Sequence, residues 1–284
     1  MTDFLVTGAD GQLGRAVTGI VGSEGASVVG TSHEDLSVED GELVRQRISA
    51  ERPAWVIHCA AWTDVDGCEL DPQRADLING QGTANVVRAC QEVAAGLIYV
   101  STDFVFDGAS CEAYSETVEP NPISVYGRSK LLGEESVLAA SQPNFFIVRT
   151  SWVFGPGGKN FVGAILARAQ ANHPLRVVDD QVGSPTMTHD LAQAILELQR
   201  AEPAPGIYHA SNEGTCSWHD FACEILRRAG IEGISIDRIS SSELDRPAAR
   251  PAYSVLDCSK LASVRGCSLP DWREGLDRYL AESL

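Results

Sequence analysis

Short apolar runs alternate along the chain with stretches whose apolar residues recur at helical spacing. FLVTG (4–8) reads as a strand ending at glycine, and 12–21 as a helix with Leu13, Val17 and Ile20 on one face. SVVG (27–30), WVIHCAA (55–61), GLIYVST (96–102) and NFFIVRTSW (144–152) are further strand patterns, separated by helical patterns at 43–49, 72–95 and 127–140. Strands this apolar, each followed by a helix, predict a parallel sheet covered on both faces. The expected fold class is α/β, a Rossmann-type doubly wound sheet.

After Trp152 the pattern loosens. VFGPGGKNF (153–161) reads as a glycine-rich loop. Helices are predicted at 161–171, 189–201, 217–230 and 271–282, strands at 175–180 and 206–211, and irregular chain at 240–256. This predicts a dinucleotide-binding domain over 1–152, with a return segment at about 187–210. A smaller, interleaved substrate-binding lobe is expected from 153–186 and 211–284.

Composition narrows the partners. The chain has 284 residues, 44% hydrophobic and 21% charged, and a net charge of -17. Such a field repels nucleic acid and anionic membranes, so neither is expected as a partner. The eight cysteines have no C-x-x-C spacing, no run approaches a spanning length, and the chain enters a strand pattern without a charged leader. A reducing cytoplasm is the expected compartment.

Candidate chemistry begins at TGADGQLGR (7–15), where Gly8, Gly11 and Gly14 stand between a strand and a helix. Glycines there permit a tight turn and a close backbone approach, and the helix N-terminus receives a pyrophosphate. The ribose-contacting region reads GTSHEDL (30–36). Thr31, Ser32 and His33 suit a 2′-phosphate, whereas Glu34 or Asp35 suits a 2′-hydroxyl. Ser101 and Thr102 end the fourth strand, where ligands of such sheets bind. Tyr126 and Lys130 follow four apart, on one helical face. Together they suit carbonyl reduction: Thr102 donates to the carbonyl oxygen, Tyr126 gives the proton, and Lys130 lowers the phenol's pKa and holds the nicotinamide ribose.

TGADGQLGR, HCAAWTDVDGCE, STDFVFDG, NPISVYGRSKLLGE, RTSWVFGPGGKNF, DDQVGSPT and GIYHASNEGTCSWHDFA, in this order over about 4–276, resemble the dTDP-4-dehydrorhamnose reductase family of extended short-chain dehydrogenases. The resemblance implies reduction of the 4-keto group of a dTDP-sugar to dTDP-L-rhamnose, with NADPH as cofactor and NADH also accepted. It implies that Gly11, Gln12 and Leu13 lie under the pyrophosphate and that Ala60, Ala61 and Trp62 line the cofactor. Thr102, Asp103 and Trp152 would meet the sugar, and Asn160 and Arg250 the nucleotide. Ser37 stands near the place of a family Asp beside the adenine, which leaves NADPH against NADH open. Arg15 and Ala16 replace a carboxylate that holds a dimer-bridging metal in some members, so no such metal is expected, and the chain is expected as a monomer or weak homodimer. Rival readings are another nucleotide-sugar 4-ketoreductase and a non-catalytic cofactor-binding subunit. A dehydratase fits less well, because Asp103 is followed by Phe104 rather than a second acid.

Overall fold

The computed structural model describes residues 2–283. Five parallel strands, β1 (Phe4–Thr7), β2 (Val28–Thr31), β3 (Trp55–His58), β4 (Gly96–Thr102) and β5 (Phe145–Thr150), are joined by a sixth, Gly206–His209. The order across the sheet is β2, β1, β3, β4, β5, then Gly206–His209. The order reverses beside β1, so a crevice opens beyond the C-terminal ends of β1 and β3. Alternation along each strand feeds two cores. Val6, Ile57, Ile98 and Phe146 face one helical layer, and Leu5, Val56, Leu97 and Ile147 the other.

The chain leaves the sheet after β5 through Trp152, whose φ of 48° turns the backbone sharply. It returns with helix Thr188–Ala201, which packs on the helix Gln12–Ser23, and with the sixth strand beside β5. The second lobe has its own core, including Phe154, Ile165, Phe221 and Trp272. The 211–284 segment serves both lobes, because Leu261 and Leu269 pack into the sheet's core.

Two local departures from the sequence pattern have physical causes. The helical run 72–95 is three pieces, Pro72–Ala75, a π-helical segment Asp76–Gln81, and Gly82–Val93. The wider turn lies where the Asn79 side chain bonds the backbone N–H and carbonyl of Trp62 and the Ser129 hydroxyl. The strand Ile236–Ile239, parallel to Leu175–Val178, went unread because its central residues, Asp237 and Arg238, are polar and exposed.

Helix Val125–Ala139 lies on β4 and is pinned by a buried ion pair. Arg149 on β5 donates to both carboxylate oxygens of Glu134, at 2.9 and 2.6 Å, and both side chains are 1% exposed. The Ser101 hydroxyl donates to the same carboxylate at 2.5 Å. Arg149→Met leaves that carboxylate buried without its counter-charge, a loss of about 3–5 kcal/mol. Urea unfolding should show this loss, with part regained on adding Glu134→Gln. A double variant no more stable than the single would contradict it.

Candidate active site

The glycine turn brings backbone close against backbone. Gly8 has a φ of 65°, and a Cβ on Gly14 would stand 2.2 Å from the Gly8 carbonyl oxygen. Residues with side chains cannot make this turn, and the approach aims the N-terminus of helix Gln12–Ser23 at the crevice. The Leu13 side chain is in the core, so only its backbone faces the crevice. Gln12 reaches the second lobe, donating to the Lys159 carbonyl and accepting from Asn160 Nδ2.

Beyond β3 lies a buried polar chain. His58 bonds Thr7 through Nδ1 at 2.7 Å and Thr83 through Nε2 at 3.2 Å. Burial first, then the charge of Lys130, lowers its pKa to about 3, so the imidazole is neutral. Thr7 also accepts from the Ala60 N–H. With Asn79 on Trp62, these bonds fix the loop Ala60, Ala61 and Trp62 against the glycine turn. His58 and Asn79 were not singled out from the sequence, where His58 is one polar residue in an apolar run and Asn79 one of several polar residues in a helical pattern.

Thr102 ends β4, and helix Val125–Ala139 begins where Ser124 caps the Gly127 N–H. A Cβ on Gly127 would stand 2.1 Å from the Phe104 carbonyl oxygen. This approach brings Tyr126 against the turn that carries Thr102 and Asp103, with its ring edge-on to Phe104. The sequence carried the signal as the glycine directly after Tyr126.

The electrostatics differ from the sequence reading. Burial pushes the Tyr126 phenol up, opposed by the neighbouring Thr102 hydroxyl. The Lys130 ammonium instead donates to the Val100 carbonyl at 2.8 Å and lies 4.2 Å from the centre of the Tyr99 ring. Burial brings Lys130 down to about 7, with Glu134 and Cys59 opposing. Asp103 is raised to about 6 by burial, with the Ser254 and Thr102 hydroxyls opposing. Its Oδ1 accepts from Thr102, while its buried Oδ2 meets no donor at hydrogen-bond distance.

The second lobe adds a cavity of about 500 Å³ whose wall includes Phe104, Trp152, Trp218, Arg246, Arg250 and Ser254. Trp152 stacks on Trp218 at 3.6 Å and 6°, so one indole face is covered. Three candidate residues have other duties. Thr31 is buried and donates to the Val6 carbonyl, so its side chain does not reach a ribose. Of the two carboxylates expected to compete there, Glu34 and Asp35, the second accepts from the Ser32 hydroxyl and N–H. Asn160 caps helix Phe161–Gln170 and ties it to Gln12, so its amide is spent between the lobes. Arg250 lines the cavity but pairs bidentately with Asp66.

A glycine turn after β1, a Thr at the end of β4 and a Tyr/Lys helix thus lie on one parallel sheet, with an aromatic and arginine-lined cavity beside Phe104. Residues 1–284 match the family described as RmlD substrate binding domain. The dTDP-4-dehydrorhamnose reductase of Streptomyces griseus is 40% identical over 96% of this chain and 91% of its own. The chain belongs to the dTDP-4-dehydrorhamnose reductase family. A spore coat polysaccharide biosynthesis protein of Bacillus subtilis is also 40% identical, over 99% of this chain and 98% of its own. A family member from Bacillus anthracis, solved in complex with NADP, superposes with a TM-score of 0.94 at 38% identity, over 99% of this chain and all of that one. The chain carries Tyr126 and Lys130 on helix Val125–Ala139.

The Lys130 environment gives a pH signature. Its ordinary value is 10.5, against about 7 when folded. Between these values the unfolded chain holds a proton that the folded chain lacks, so stability rises with pH there, and below about 7 the cost of burying Lys130 is complete. Lys130→Met should therefore be most favoured over wild type at pH 7. The advantage should shrink toward pH 8.5, by up to about 1.4 kcal/mol per pH unit. Urea titrations at pH 7.0, 7.8 and 8.5 would measure it, and a gap constant across that range would refute the depressed value.

Proposed function

We propose that this protein reduces the 4-keto group of dTDP-4-dehydro-β-L-rhamnose to give dTDP-L-rhamnose, using NADPH. The observation that carries the reading is the presence of Thr102, Tyr126 and Lys130 at one crevice, in a chain 40% identical over nearly its full length to a protein named for this reaction. The fit of the cofactor rests on the glycine cradle, where any Cβ at Gly14 would fill the space the backbone needs, and on the polar chain that holds Ala60 to Trp62.

In this reading the pyrophosphate lies over Gly11, Gln12 and Leu13, at the N-terminus of helix Gln12–Ser23, while Gly8 and Gly14 allow the close backbone approach. Ser32, half-buried just past the end of β2, takes the 2′-phosphate side in place of the buried Thr31. Lys130 and Tyr126 reach the nicotinamide ribose. When bound, NADPH supplies the hydride that reduces C4. Thr102 donates a hydrogen bond to O4, and Tyr126 gives that oxygen its proton. Burial keeps the phenol protonated over the neutral range, so the proton is present to be given when charge develops on O4. Lys130, near half-protonated at neutral pH, is placed to restore that proton through the ribose hydroxyl. Asp103 offers its free Oδ2 to a sugar hydroxyl. The edge of Trp152 and the arginine-lined cavity hold the nucleotide end. The compartment is a reducing cytoplasm, in keeping with eight unpaired thiols.

A second reading is reduction of the sugar before epimerisation, because a Streptomyces niveus relative named dTDP-4-keto-6-deoxy-D-glucose reductase is 38% identical over 90% of this chain. The test supplies dTDP-4-keto-6-deoxy-D-glucose with and without a 3,5-epimerase, follows NADPH oxidation, and identifies the product by NMR. Turnover only with the epimerase, and an L-rhamno product, is expected. Equal turnover without it would favour the second reading, and no turnover in either case would leave the catalytic reading without support. In the same assay Tyr126→Phe should lower kcat by at least about 10²-fold, with the NADPH dissociation constant within a factor of about three of wild type. A Tyr126→Phe enzyme of near wild-type turnover would remove Tyr126 as proton donor.

A further inference from the structure

The wall of the nucleotide cavity includes an irregular strap, residues 244–250, that carries Arg246 and Arg250. Among the described residues, every hydrogen bond from 245–250 to another segment ends on one side chain, Asp66. Its Oδ1 accepts from the Ala248 N–H at 3.3 Å and from Arg250 at 3.0 Å, and its Oδ2 accepts from Arg250 at 2.8 Å. Arg246 stands 3.8 Å from the same carboxylate. The Arg250 guanidinium is further fixed by its own bond to the Ala248 carbonyl, and its side chain is 14% exposed.

Asp66 does not belong to the second lobe. It lies in the first turn of helix Val65–Leu70, three residues after Thr63 closes the loop that follows β3. The same short helix touches the catalytic helix, since Glu69 accepts from the Val125 N–H at 3.0 Å and Cys68 packs in one cluster with Tyr126. One six-residue helix thus contacts the strap on one side and the start of the Tyr126 helix on the other. A carboxylate that grips both oxygens' worth of a guanidinium fixes its plane as well as its position.

From this geometry we infer that Asp66 is a positioning residue for the anionic half of the substrate: it holds the Arg250 fork and the strap against the cavity, so that a nucleoside diphosphate meets a preformed cationic wall. The inference rests on the nucleotide-sugar reading above. Asp66 acts through Arg250 and touches neither the ketone nor the cofactor. Its loss should therefore weaken the nucleotide end and leave the chemistry intact.

The experiment is calorimetric titration of the full chain with dTDP and, separately, with NADPH, together with steady-state kinetics on the keto-sugar. Asp66→Asn is expected to weaken dTDP binding and raise KM by about tenfold or more, with kcat within about twofold and NADPH binding unchanged. Arg250→Lys, which keeps the charge and loses the fork, should do the same without disturbing helix Val65–Leu70. Asp66→Asn added to Arg250→Met should be no worse than Arg250→Met alone, because both act through one contact. Wild-type dTDP affinity in Asp66→Asn would overturn the inference. So would a parallel loss of dTDP and NADPH binding, which marks general loosening, or additive effects in the double variant. A wild-type chain that binds dTDP without reducing the ketone would fail the reductase reading alone, and the dTDP titrations would still decide the role of Asp66. A wild-type chain that does not bind dTDP would overturn both.

Discussion

The seating of one helix on two strands governs the rest of the site. Helix Val125–Ala139 carries Tyr126 and Lys130, and its height on the sheet is set by the buried Glu134–Arg149 pair and by the contact of Gly127 with the Phe104 carbonyl. Neither contact tolerates sliding. A one-turn shift would leave a carboxylate and a guanidinium apart in the core, at a cost of several kcal/mol. Because Ser101 shares the Glu134 carboxylate, the same pair also fixes the end of β4, from which Thr102 projects. The hydroxyl and the phenol are thus positioned by one electrostatic contact below them.

That arrangement solves a problem of charge. A chain of net charge -17 must bind a dinucleotide and a diphosphate sugar, both anions. On the proposed reading it does so with local donors: backbone N–H groups at the glycine turn and guanidiniums held on acidic partners at the cavity. Arg250 illustrates the principle. Its carboxylate partner offsets the charge on average but aligns the fork, so orientation is retained where net attraction is partly given up. Burial does the complementary work at the reacting end, keeping the Tyr126 phenol protonated and the Lys130 ammonium near its midpoint.

The sheet, the glycine turn, and the placing of Thr102 at a strand end and of Tyr126 and Lys130 on one helix were legible in the sequence because each rests on local periodicity or short spacing. What escaped depends on contacts between distant segments. Nothing around Asp66 in HCAAWTDVDGCE announces a partner 184 residues away. The π-helical turn at Asp76–Gln81 has no signal in its apolar spacing, since its cause is a bond from Asn79 to Trp62 and Ser129. Thr31 was misread for a similar reason: position 31 is at a strand tip, but the pleat sends its hydroxyl down to Val6. Helical spacing places Tyr126 and Lys130 on one face, while burial and the Val100 carbonyl decide where the ammonium points.

The central claim is that Tyr126 and Thr102 together hold the oxygen that is reduced. The most direct test is a crystal structure with NADP⁺ and dTDP-L-rhamnose bound. The account predicts O4 of the sugar within about 2.6–3.2 Å of both the Tyr126 and Thr102 hydroxyls, with the diphosphate against the Arg250 wall. A product whose O4 lies beyond reach of Tyr126, or a sugar seated away from the end of β4, would contradict it.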